Sequence, residues 1–329
     1  MNQKYMLPLA GVFLLFLLAY AGVEGAGLQW FFGIVIPYLA VIAFIWGFVN
    51  RVMGWASSAV PFRIPTTCGQ QKSLPWIKQN CIDNPDKASG VFIRMLLEIF
   101  LFRSLFRNTK AAFNRDENNR LTYSWEIFLW VGALAFHYGF LVVLIRHLRF
   151  FMEPVPASLA FLEYVDGIVQ IGLPGIFLSG LVLLAAALFL LARRIFDVKV
   201  SYISLAADYF PLFLIIGIAA TGIAMRYFTK VDITGVKEFT MGLVTFHPVI
   251  PPGVGGLFYA HVLMVSVLFA YFPVSKLMHA GGIFLSPTRN MANNTRAKRH
   301  VNPWNYAVQY EDHFREKMIE AGLPVDKEE

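Results

Sequence analysis

The sequence predicts an all-α, polytopic membrane helix bundle with six transmembrane helices, and three observations predict it. The first is composition: 57% of the 329 residues are hydrophobic and 15% charged, where an average soluble domain has roughly 45–50% and about 25%. The second is six apolar runs, each close to the ~20 residues that cross a ~30 Å hydrocarbon layer. The third is lysine and arginine, which concentrate on alternate connections between those runs. A soluble globule of this length could not hide so much apolar surface. Low charge and 16% aromatic content exclude a disordered chain. Two cysteines exclude a disulfide-stapled scaffold. The net charge of +7 reads as basic cytoplasmic loops in contact with a lipid bilayer, with no nucleic acid partner implied.

The first span, Met6–Val23, has only Lys4 as a basic flank and runs through Ala21–Gly27 into the next span, so it is a retained helix and not a cleaved signal. The second is Leu28–Val49. A long connection, residues 50–124, follows. Its segment PFRIPTTCGQQKSLPWIK (Pro61–Lys78) has three prolines and predicts irregular structure. Val91–Phe106 predicts a helix within it, serving either as a plain connection or as a partner-docking surface. The remaining spans are Trp125–Phe151, Gly167–Ala192, Tyr209–Phe228 and Val254–Met278. The polar tail predicts a soluble helix at Tyr306–Ala321, closed by Gly322 and Pro324. No internal repeat is present.

With the N-terminus in the cytoplasm, 23 of the 28 lysines and arginines lie inside, and five (Arg146, Arg149, Arg226, Lys230 and Lys237) lie outside. Arg51, Arg120, Arg193, Arg194 and Lys276, all beside span ends, keep the bias. The positive-inside rule therefore expects both termini, the 50–124 connection and the tail on the cytoplasmic side of the inner membrane.

Four of the seven histidines fall in spans: His137 and His147 on the third, His261 and His279 on the sixth. Histidine in hydrocarbon is costly and usually functional; the bland alternative for one such residue is an interhelical hydrogen bond. Two histidines on each of two helices match two bis-imidazole haem sites inside a bundle. The helices run in opposite directions, so His137 pairs with His279 and His147 with His261. Ten residues separate the first two, about 15 Å of rise and about 80° short of whole turns. Eighteen separate the others, about 27 Å if straight, leaving ~12 Å for haem tilt, helix tilt or a bend at Pro273 to absorb. Gly132, Ala133, Ala135 and Gly139 near His137, and Gly255, Gly256 and Ala260 near His261, either leave room for a flat macrocycle or simply pack helices.

These histidines resemble those of the membrane cytochrome b (gamma) subunit of respiratory nitrate reductases, which carries two histidines ten apart on one helix and two eighteen apart on its last. FPVSKLMH (Phe272–His279) resembles the end of that last helix, and Ala192–Phe196 the end of the helix before it. That similarity spans roughly residues 30–280. The additional N-terminal helix, the 50–124 connection, FHYGFLVVLIRHLRFFMEPVP (Phe136–Pro156) and SPTRNMANNTRAKRHVNPWN (Ser286–Asn305) look like the DsrM cytochrome b subunits of DsrMKJOP complexes, close to their Hdr-like menaquinol-oxidising counterparts. The resemblance implies a nitrate reductase gamma subunit-like core with an extra N-terminal helix at residues 1–27. It makes residues 28–280 a di-haem b transmembrane domain and residues 281–329 a cytoplasmic tail. It further implies exchange with menaquinone and a DsrK-like cytoplasmic iron–sulfur partner in dissimilatory sulfur metabolism. Turnover would need the other subunits, because no acceptor-side chemistry is encoded here.

The nitrate reductase family holds quinone with a lysine near the outer start of the helix after the first histidine pair. Here Val165–Gln170 has none, and Gln170 sits about where it would be. Asp166, Gln170 and Arg149 are the candidate quinone residues. Arg146 and Arg149 could equally pair with haem propionates or lipid phosphates. His247 is a loop residue or a proton shuttle; His300 and His313 read as solvated; Cys68 and Cys81 read as reduced thiols, since a cluster needs four ligands. Two other function classes stay open. One is a transporter or proton channel using histidine relays, which the lack of repeat symmetry disfavours. The other is a non-redox membrane anchor.

Overall fold

The computed structural model describes residues 3–58, 69–114, 120–167, 175–285, 290–296 and 312–322. In chain order the elements are α1 (Gln3–Ala26), α2 (Ile36–Ala56), α3 (Ala88–Leu101), α4 (Arg103–Phe106), β1 (Thr109–Asn114), β2 (Arg120–Trp125) and α5 (Ile127–His147). Then come α6 (Ala157–Asp166), α7 (Leu178–Phe196), α8 (Val198–Ile203), α9 (Ala206–Ala224), α10 (Ile233–Val244), α11 (Gly256–Tyr271), α12 (His279–Leu285) and α13 (Asp312–Glu320). Six helical stretches are long and apolar enough to cross a membrane: Gln3–Ala26, Phe31–Ala56, Ile127–Phe151, Leu178–Phe196, Ala206–Thr229 and Gly256–Val274. Only 17–44% of the most apolar stretch of each is buried in the protein, so each keeps a broad apolar face toward lipid. Helices are the open-ended solution there because they satisfy their own backbone groups.

α5 packs on α7, α7 on α9, and α9 on both α1 and α11, while α11 also packs on α1 and α2. Small residues set the closest approaches. A Cβ on Gly139 would stand 3.1 Å from the Leu183 backbone nitrogen, and one on Gly132 2.5 Å from the Phe189 ring, both on α7. A Cβ on Gly256 would meet Glu24 and the Tyr20 carbonyl of α1 at 3.0–3.1 Å. These three glycines lie at close helix–helix contacts. The largest buried cluster joins α1, α10 and α11 through Ala19, Val23, Phe239, Phe258, Tyr259 and Leu263.

The span ends differ by a few residues from those expected, the second running on to Ala56 in place of Val49, and three differences have a clear structural cause. The fourth span begins at Leu178, not Gly167: α6 ends at Asp166, and Gly167 closes it. The third begins at Ile127, because Arg120–Trp125 pairs antiparallel with Thr109–Asn114, with Thr109 opposite Trp125. The sixth does not run to Met278 as one helix. Pro273 lies in a 3₁₀ turn (Phe272–Val274), Ser275 is extended, and a second 3₁₀ turn (Lys276–Met278) leads into α12. The helix expected at Val91–Phe106 is broken at Phe102, which takes a left-handed conformation (φ 48°) between α3 and α4. Of the expected tail helix, Asp312–Glu320 is formed.

The polar contacts gather at two ends. At one, the connection after α2 folds into an ordered platform. Asp83 accepts from Arg103 (2.9 Å), Arg107 and Asn80 (3.0 Å), and Asn293 donates to Asn84 at 2.8 Å. The hairpin joins α7 there through Lys110–Asp197 (2.8 Å), and α5 joins it through Arg193–Glu126 (3.1 Å). The Lys110 ammonium holds the Asp197 carboxyl below its ordinary range. This is the end that the basic residues assign to the cytoplasm. The other end carries Arg146, Arg149, Arg226, Glu163, Asp166 and the Lys237–Glu153 pair.

Candidate functional site

Helix α5 holds His137 and His147 on one uninterrupted helix. His137 meets His279: their ring centroids are 6.0 Å apart and their planes lie at 83°. A metal–imidazole bond is about 2 Å, so two imidazoles on opposite sides of one ion place their centroids roughly 6 Å apart. The pair therefore fits a bis-imidazole iron. None of the four rings is packed shut: His147 and His279 are exposed, and His137 and His261 are half-buried. Among the described residues no group of three or more His, Cys, Asp or Glu side chains converges.

Each of the four has its Nδ1 engaged. His137 Nδ1 lies 2.8 Å from the Ala133 carbonyl, His147 Nδ1 2.7 Å from that of Val143, and His279 Nδ1 2.8 Å from that of Lys276. His261 Nδ1 lies 2.9 Å from the Thr221 hydroxyl on α9. A carbonyl only accepts, so these contacts put the proton on Nδ1 and leave the Nε2 lone pair for a metal.

The broken sixth span explains how the unequal spacings meet. From His261 to Tyr271 is ten helical residues, about 15 Å, the same rise as His137 to His147. The last eight run through the two 3₁₀ turns and the extended Ser275 and deliver His279 beside His137. Ser275 fixes that kink, its hydroxyl donating to the Phe272 carbonyl (3.0 Å) and accepting from the Leu277 amide (3.1 Å). Lys276, whose carbonyl holds His279, reaches Asp208 of α9 at 2.6 Å.

Beside His147 lies a cavity of about 50 Å³ lined by Arg146, Arg149, Phe150, Glu163, Phe177 and Arg226, among others. Arg146 and Arg226 each place a guanidinium over the Phe177 ring, at 3.2 and 3.8 Å from its centroid. Asp166 accepts from Arg146 (2.8 Å), the Ser179 hydroxyl (2.6 Å) and the Ser179 amide (2.7 Å). Arg149 pairs with Glu163 at 2.7 Å. The Nε atoms of Arg146 and Arg226 and Oε1 of Glu163 are buried without a hydrogen-bond partner.

Of the four sequence-predicted histidines, His137 and His279 come together as a ring pair, and Arg149 and Asp166 lie at the end that holds His147. Both arginines expected to meet propionates or phosphates pair first with protein carboxylates. Gln170, His300 and Cys68 lie outside the described residues. His247 is exposed in the turn after α10, its Nδ1 2.8 Å from the Thr245 carbonyl. Cys81 is a free, exposed thiol. Sequence reasoning passed over Phe102, whose ring centroid is 4.9 Å from that of His137, and also Thr221, Glu163 and Arg226. A left-handed phenylalanine leaves no pattern in the sequence. Thr221 was visible only as a polar residue in an otherwise apolar span.

The family model of the nitrate reductase gamma subunit matches residues 92–297. That stretch holds the last four spans and all four paired histidines, and begins later than the residue 30 expected from the resemblance. The chain is also similar to the Hdr-like menaquinol oxidoreductase cytochrome b-like subunit of Archaeoglobus fulgidus, 46% identical over 286 residues covering 84% of either chain. To the subunit of the same name from Archaeoglobus profundus it is 41% identical over 295 residues, 88% of this chain and 87% of the relative. This six-span membrane protein therefore belongs to the nitrate reductase gamma subunit family, together with the Hdr-like menaquinol oxidoreductase cytochrome b-like subunits.

Proposed function

We propose that the chain is the di-haem b electron-transfer subunit of a menaquinol oxidoreductase complex. In it His137 and His279 would be the axial ligands of one haem, and His147 and His261 those of the other. The observation that carries this is the bis-imidazole separation of His137 and His279, 6.0 Å between centroids, on rings whose Nδ1 atoms are held by carbonyls. Haem b would supply one-electron exchange. The protein's part is to fix the imidazole tautomers and to present the two pairs at two depths of one bundle. The names of the Archaeoglobus relatives support menaquinol as the reductant.

Quinone exchange belongs at the end near His147. There Arg149 and Glu163 line the cavity, Asp166 holds Arg146 and Ser179 in place, and Gln170 is the remaining candidate. A volume of about 50 Å³ takes one or two waters, so it suits the polar end of a quinone site. The opposite end, with the platform and hairpin, suits a cytoplasmic DsrK-like iron–sulfur partner. Both termini then lie in the cytoplasm, and the complex is of the DsrM kind, acting in dissimilatory sulfur metabolism.

The test is haem stoichiometry. Purified from haem-replete cells, the protein is expected to be red, with the reduced alpha band of b haem and two haems per chain. Alanine at His137 and at His279 is expected to remove the same haem, and alanine at His147 and at His261 the other. A colourless wild-type preparation would favour a transporter or an anchor.

A further inference from the structure

We infer that Thr221 is the positioning residue that sets the tautomer and tunes the iron affinity of His261, an inference that rests on the haem reading above. Thr221 is buried in α9. Its Oγ1 lies 2.8 Å from the Gly217 carbonyl, 3.0 Å from that of Ile218 and 2.9 Å from His261 Nδ1 on α11. The hydroxyl has one proton, and the two carbonyls can only accept it. With that proton given to either carbonyl, Oγ1 accepts from His261 Nδ1–H, and Nε2 is left as the metal-binding nitrogen.

His261 is unlike the other three histidines in this respect. They are held by carbonyls three or four residues back in their own turns, which no side-chain substitution removes. His261 is held by a side chain of a different helix. A Cβ on the adjacent Gly222 would stand 3.5 Å from His261 Cε1, so the ring edge rests on α9 at this point. The orientation of one imidazole out of four is thus encoded in a single replaceable hydroxyl. An acceptor on Nδ1–H makes an imidazole a stronger donor and favours the oxidised metal. Losing that acceptor raises the midpoint potential of the haem bound by His147 and His261.

The experiment compares Thr221→Val and Thr221→Ser with the wild-type complex in its membrane. The measurements are haem content, the midpoint potential of each b haem by optical redox titration, and the ferric low-spin EPR g-values. Thr221→Val is expected to keep both haems and shift one of them toward reduction by up to tenfold in its equilibrium constant, about 59 mV for one electron. The haem of His137 and His279 is expected to stay put, and Thr221→Ser is expected to restore the wild-type value. Thr221→Ala supplies the same readout if valine disturbs the contact between α9 and α11. Unchanged potentials and g-values in the valine and alanine variants would overturn the inference, as would a serine variant that shifts as far as valine. A wild-type protein without haem would instead sink the preceding reading.

Discussion

Asp166 shows how a residue can be legible by type while its partners are not. The sequence marks it as an acid beside a histidine-bearing span and hence as a quinone candidate. In the structure its carboxylate is saturated by Arg146 and two groups of Ser179. Breaking a buried ion pair on one side typically costs about 3–5 kcal/mol, because the surviving charge is left uncompensated. Asp166→Asn is therefore expected to lower the thermal unfolding midpoint in detergent as well as the rate of haem reduction by a menaquinol analogue. Gln170→Ala is expected to slow that reduction at an unchanged midpoint; equal rates in the alanine variant would remove Gln170 from the site. The paired histidines were legible because imidazole is rare in lipid-facing sequence and its spacing survives folding. Thr221, Glu163 and Arg226 were not, because what makes each matter is a partner on another helix: His261, Arg149 or Phe177.

At the scale of elements, the apolar runs located all six spans, while their ends were set by contacts that hydropathy does not register. The strand Arg120–Trp125 carries an alternating polar and apolar pattern that was present in the sequence, yet the apolar count absorbed its last residue into the third span. The largest departure is the sixth span. A straight helix from His261 to His279 would overshoot its partners, and the proline-centred interruption removes the excess. Pro273 is buried, and a Cβ on Gly47 of α2 would stand 2.8 Å from it, so the kink is also locked from the side. Replacing the proline by leucine would restore an amide donor and let α11 continue. Pro273→Leu is expected to lose the haem of His137 and His279 and keep the other, read as one haem per chain in place of two. Retention of both haems with unchanged spectra would show that the interruption does not depend on the proline.

The whole molecule has two chemically different ends, one built on Asp83, the hairpin and Asp197, the other on arginine–carboxylate pairs around His147. Charge counting assigns the first end to the cytoplasm, and Cys81 offers a direct check. With Cys68 replaced by serine, a membrane-impermeant maleimide is expected to label Cys81 in inside-out vesicles and leave it untouched in intact cells. The reverse result would invert the topology and move the end that holds His147 to the other compartment. Global topology was readable because a hydrocarbon solvent allows few architectures. The packing order of the helices was not, since neighbours are chosen by small residues whose partners lie far along the chain.

Helix α1 lies outside the stretch matched by the family model, and it nonetheless packs on both α9 and α11. Glu24 near its end accepts from the Gly256 amide at 2.6 Å, answering one of the orphan donors in the first turn of the helix that carries His261. Ala19 and Val23 cover Phe258 and its neighbours on the same helix. A chain trimmed to begin at the second span would thus bare a greasy furrow and uncap the rod that bears an imidazole, so the shortest version expected to hold that rod in place starts with α1.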